Sequence, residues 1–96
     1  MTDKVKFEWD PKKRQKNIDE RGLDIVMLAP DLLASPSTKI LPDKRKNYDE
    51  ERWLAFGIVE KLRLCLCFTQ RGDSVRLITI YKVNNKDWEK HYGKDD

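Results

Sequence analysis

Between Arg52 and Val83 the apolar residues come in three runs, RWLAFGIV, LRLCLCFT and VRLITIYKV, parted by two short polar breaks. Within each run they alternate. Leu54, Phe56 and Ile58 share one side of the first run, and Leu62, Leu64, Leu66 and Phe68 share one side of the second. In the third, Val75, Leu77, Thr79 and Tyr81 stand opposite Arg76, Ile78, Ile80 and Lys82. A period of two predicts strands, and the short breaks predict an antiparallel meander. The first break, Glu60-Lys61, has the length of a tight hairpin, although neither residue favours positive φ. The second, Gln70-Arg71-Gly72-Asp73, carries the expected glycine. Helices must cover one face, because an open three-stranded sheet would leave an apolar row in water.

The flanks supply those helices. Val5, Phe7 and Trp9 alternate with Lys6 and Glu8, which predicts a short strand. Asp10-Pro11 is a helix start, since Asp accepts from orphan amides and Pro fits the first helical position. The helix runs from Pro11 to about Arg21, with Gly22 as its left-handed stop. Ile18 is its only good apolar residue, and Lys12, Lys13, Arg14, Lys16 and Arg21 make it basic. Asp24 opens a second helix that buries Ile25, Leu28, Ala29 and Leu32 and is kinked or ended near Pro30. Ser35-Pro36-Ser37 is a turn, Thr38–Leu41 a short strand and Pro42–Glu51 a loop. After Asn84-Asn85, a final helix over Lys86–Tyr92 would bring Trp88 and Tyr92 to the sheet. The tail Lys94–Asp96 reads as loose. The expectation is one α+β domain spanning residues 1–96.

Composition narrows the chemistry. Charged residues make up 39% and apolar residues 39%, but the clustering of the latter argues for a folded chain. A formal charge of +3 permits a polyanionic partner without requiring one. Cys65 and Cys67, two apart in an apolar run, read as buried reduced thiols. With His91 the only histidine, no metal site is expected. No apolar stretch approaches the ~20 residues of a membrane span, and the charged N-terminus lacks a leader's apolar core. A cytoplasmic location is the default.

No glycine-rich phosphate loop, nucleophile elbow or zinc signature appears. Glu50 and Glu51, adjacent on an extended chain, point apart and read as solvated loop charges. The informative residues are basic. Arg76 and Lys82 fall on one face of the third strand, Arg71 lies in the preceding turn, and Arg52 begins the first strand. Guanidinium and ammonium groups in a cleft would bind an RNA backbone and offset the charge of a pentacoordinate phosphorus. RNA needs no metal for this, because its own 2′-OH is the nucleophile. His91 and Tyr81 are the candidate proton carriers, and Tyr92 is a weaker one.

The segments FEWDPKK, KNIDERG, YDEERWLAFG and TQRGDSVRLITIYK together resemble the BrnT toxins of bacterial type II toxin–antitoxin systems. The ordered series Trp9-Asp10-Pro11, Asn17, Gly22, Glu51-Arg52, Gly57, Arg71-Gly72 and Arg76 carries the likeness. The resemblance implies a RelE-like fold and a metal-independent ribonuclease with no cofactor. It also implies a ribbon-helix-helix antitoxin of the BrnA kind as partner, with DNA met only through that antitoxin. On this reading Arg52, Arg76, Lys82, Tyr81 and His91 serve catalysis, while Arg14, Arg21, Arg45 and Arg71 hold RNA. Three sites depart from the family pattern. Arg21 stands where a histidine is usual, Thr79-Ile80-Tyr81-Lys82 replaces Ser-Ala-Arg-Lys, and Asp87-Trp88 aligns with a Glu-Arg pair. A homologue that only binds RNA or an antitoxin is the alternative, and a purely structural domain is the third reading.

Overall fold

The computed structural model describes residues 5–45, 47 and 49–93, and the Lys94–Asp96 tail falls outside them. Its elements are β1 (Lys6–Glu8), α1 (Pro11–Arg21), α2 (Ile25–Ala34), β2 (Lys39–Pro42), β3 (Trp53–Val59), β4 (Leu62–Arg71), β5 (Ser74–Lys82) and α3 (Asn85–His91). The strands form one sheet in the order β1-β5-β4-β3-β2. The expected meander β3-β4-β5 is its centre. β2 adds antiparallel to β3, and β1 adds parallel to β5. The fold is α+β, as the alternation predicted.

Local chemistry sets the element ends. Asp10 accepts the Lys12 amide, Pro11 opens α1, and Gly22 closes it at φ 69° with its N–H turned back to Asn17 and Ile18. Asp24 caps α2 by accepting from Val26. The Arg14 guanidinium forks onto the same carboxylate, Nε to Oδ1 and Nη2 to Oδ2, both at 2.9 Å, tying α1 to α2. α2 does not end at Pro30, which lies inside it. Proline removes one backbone donor there, and the burial of Ile25, Leu28, Ala29 and Leu32 on the sheet outweighs that loss. Glu60 and Lys61 both adopt positive φ, 52° and 68°, so the β3–β4 hairpin is a two-residue turn despite its residue types.

The sheet is covered on both faces, not one. Leu23 and the four buried α2 residues pack on Ala55, Val59, Leu64, Leu66, Phe68, Leu77 and Ile80. On the other side Leu54, Phe56, Cys65 and Cys67 pack with Val83 and Trp88 of the α3 region. β4 feeds both cores, which is why its sequence reads as a near-continuous apolar run.

A bulge corrects the expected phase of β5. Cys67 pairs with Thr79 and Phe68 with Leu77, so Ile78 has no partner. The extra residue turns the rest of the strand over. Val75, Leu77 and Ile80 join the first core, whereas Ile78 and Tyr81 join the second. Lys82, paired with Leu64, follows Ile80, while Arg76 follows Ile78. Arg76 and Lys82 therefore lie on opposite faces.

Candidate active site

A polar cleft of about 160 Å³ opens beside the first half of β5. Asp10, Lys13, Glu50, Arg52, Arg71 and Arg76 line it, with Leu77 and Ile78 as the apolar wall. The fold explains the convergence. The β4–β5 hairpin sets Arg71 against Ser74 and Thr69 against Arg76. Parallel pairing puts Glu8 beside Arg76, so the chain leaving β1 starts α1, with Asp10 and Lys13, at the same end. Asp43 N–H donates to the Arg52 carbonyl at 2.8 Å, which fixes the backbone where β3 begins.

Four cations thus face two carboxylates. Asp10 is occupied in capping α1. Glu50 sits between two arginines: Oε1 accepts from Arg71 Nη2 at 3.2 Å and Oε2 from Arg52 Nε at 3.3 Å. These contacts, Arg71 first and Arg52 second, hold its carboxyl below the usual carboxylate range, so it is ionised at neutral pH. Arg76 approaches Glu8 only at 4.0 Å. An arrangement of this kind binds an oxyanion and stabilises negative charge that grows on it.

A second polar cluster lies under the β2–β3 loop. The Asp43 carboxylate is fully enclosed and takes Arg45 Nε at 2.8 Å and Nη2 at 2.9 Å, with Cys67 Sγ at 3.7 Å. Arg45 also neighbours the Tyr81 phenol. Burial, reinforced by Cys65, raises the Tyr81 hydroxyl far above its ordinary value, so it remains a proton donor. Burial also pushes the Cys65 thiol up to about 11 and raises Cys67.

Of the residues singled out from sequence, Arg52, Arg71 and Arg76 come together. Arg45 and Tyr81 form the separate cluster. His91 stacks on Phe56, ring centroids 5.2 Å apart, on the face that α3 covers, and does not line the cleft. Arg14 is engaged with Asp24, and Arg21 donates to Thr79 Oγ1 at 3.2 Å and to the Ile80 carbonyl at 2.9 Å, along β5 beyond its pairing with β1. Lys82 is exposed, at the far end of β5 from Arg76.

Two cleft residues carry weak signals in the sequence. Lys13 is one charge among several on a basic helix. Glu50 reads as a solvated loop charge beside Glu51, although Glu50 and Arg52, two apart on an extended chain, tend to share a side. Glu51 is exposed and outside the cleft, as its neighbour's opposite direction requires.

Among the described residues no three His, Cys, Asp or Glu side chains are grouped to hold a metal ion, and no helix is long and apolar enough to cross a membrane. Comparison with curated proteins and with solved structures gave no match. A family model does match. It spans residues 9–87, covers every residue of the cleft, and describes the ribonuclease toxin BrnT of type II toxin–antitoxin systems. With most of the chain inside that match, the chain belongs to the BrnT family of ribonuclease toxins.

Proposed function

We propose that this toxin is an endoribonuclease that works without a metal and seats the scissile phosphate in the arginine cleft. The observation that carries the reading is the convergence of Lys13, Arg52, Arg71 and Arg76 from four separate segments on one cleft. The RNA 2′-oxygen loses its proton and attacks the adjacent phosphorus. The P–O5′ bond breaks and the departing oxygen takes a proton, leaving a 2′,3′-cyclic phosphate and a 5′-hydroxyl. Arg52, Arg76 and Lys13 neutralise the pentacoordinate phosphorus, and Arg71, more exposed than Arg52 and Arg76, holds the flanking backbone. Lys82 and His91, placed elsewhere, have no part in this step.

A toxin of a type II system has an antitoxin partner. A ribbon-helix-helix antitoxin that silences the cleft, and through which alone the toxin meets DNA, fits this reading, as does growth inhibition by RNA cleavage in the cytoplasm. The test is incubation of antitoxin-free protein with single-stranded RNA in EDTA. Cleavage leaving cyclic phosphate ends is expected. A strict demand for magnesium defeats the mechanism, and salt-sensitive binding without cleavage assigns the chain to a binding role instead.

A further inference from the structure

The cleft already contains an anion. Glu50 uses one oxygen on Arg71 and the other on Arg52, the two guanidinium groups placed to take a phosphodiester. Among the described residues it is also the one side chain shared by the cleft and two larger cavities beside it. One, of about 600 Å³, lies along Pro42–Lys44 and Trp53, and the other, of about 440 Å³, lies along Trp53, Thr69 and Gln70. An incoming RNA strand that put its phosphate in the cleft and its flanking nucleosides in the cavities would meet the same carboxylate from every side.

We propose that Glu50 is an internal occupant of the phosphate position, a carboxylate that RNA must displace from Arg52 and Arg71 before it is held. This rests on the cleft being the RNA site. Geometry separates the role from that of a general base. Both oxygens are engaged by arginine, and a carboxyl held low in this way is a poor proton acceptor. Displacement exchanges one anion for another, so the guanidinium charges gain less from RNA than free ones would. The side chain therefore sets a threshold: short or weakly charged anions fail to evict it, and a polyanion with several phosphates succeeds.

The test measures binding of a 2′-O-methyl, uncleavable single-stranded RNA to the full chain by fluorescence anisotropy over a range of salt. Glu50→Gln keeps the shape and removes the charge, and Glu50→Ser serves if the glutamine variant folds poorly. Glu89→Gln makes the same change of net charge at an exposed side chain on α3 that lines neither the cleft nor the two cavities. Glu50→Gln should bind about tenfold more tightly than wild type, the scale of two partly exposed ion pairs no longer competing. Its plot of log affinity against log salt should steepen by about 0.7, one additional single-strand phosphate neutralised. Glu89→Gln should stay within about twofold of wild type, as expected for a screened exposed charge. Equal tightening by both variants, or none by either, overturns the role of Glu50 if Arg76→Ala still weakens binding. RNA binding indifferent to Arg76→Ala overturns the site itself and the role with it.

Discussion

Replacing Arg76 and Lys82 one at a time separates the bulged β5 from a regularly alternating one. Arg76 lines the cleft, and under the proposed mechanism its loss removes a fixed donor from the growing phosphorane charge. Removing one such donor lowers the rate about 10²–10³-fold. Lys82 lies on the opposite face, about 20 Å along the strand at about 3.4 Å per residue. Two unit charges that far apart in water interact by only about 0.2 kcal/mol. A screening length of about 8 Å at physiological salt reduces this about tenfold, to a rate change of a few per cent. The assay is single-turnover cleavage of a labelled RNA with protein in excess, EDTA present and salt near 0.15 M, alongside thermal unfolding of each variant. Arg76→Ala should be slow and normally folded, and Lys82→Ala should match wild type. If Lys82→Ala falls as far as Arg76→Ala with its unfolding unchanged, the two cations share a phosphate and the site is misplaced.

Three further outcomes test the frame of the site. A Cβ at Gly57 would lie 2.5 Å from Thr38 Oγ1, which donates to the Leu32 carbonyl, and 2.6 Å from Leu32 Cδ1. Gly57→Ala should therefore cost about 1–3 kcal/mol in urea unfolding, and unchanged stability would show that α2 and β2 approach β3 less closely. Asp24→Ala removes the α2 cap and the Arg14 fork, at a cost of about 1 kcal/mol at pH 7 given the partial exposure of the pair. Arg14 first, then the Val26 amide, holds the Asp24 carboxyl below its unfolded value, so its stabilisation is full above about pH 4 and fades as pH falls through the native pKa. The wild-type advantage in unfolding should shrink by about pH 2.5, and an advantage constant with pH would contradict the ion pair. With Cys65 at about 11, roughly a thousandth of it is thiolate at pH 8, so Ellman's reagent should find no fast thiol in the native protein and both cysteines after denaturation.

The meander was legible because β3 and β4 keep strict alternation, and the caps because Asp10-Pro11, Gly22 and Asp24 carry their chemistry locally. The β5 bulge was not. Ile78 is an ordinary strand residue with no glycine or proline to mark it, and the phase change shows only in the pairing of β5 with β4. Extrapolating the first half of β5 through Ile78 is what brought Arg76 and Lys82 onto one face. Arg52, Arg71 and Arg76 were identified by residue type, whereas Glu50 takes its meaning from Arg71, twenty-one positions later in the chain. Lys13 likewise gains its role only when β1 lies against β5. Local pattern thus named the strands and the arginines, and tertiary closure decided which of them meet.

The β1–β5 pairing also has a bearing on timing. Lys6 registers with Ser74 and Glu8 with Arg76, so the first strand has nowhere to add until nearly the last strand exists. The cleft inherits this order, because Lys13 comes from early in the chain and Arg71 and Arg76 from late in it. During synthesis these cations are on unconnected stretches of polypeptide, and the domain closes as a unit only once β5 has emerged. Nascent chains arrested before Ser74 should leave added RNA intact, whereas those extended past Val83 and clear of the exit tunnel should cut it. Cleavage by the shorter set would show that the cleft forms without β5. A chain built this way cannot complete its arginine cleft until β5 has been translated.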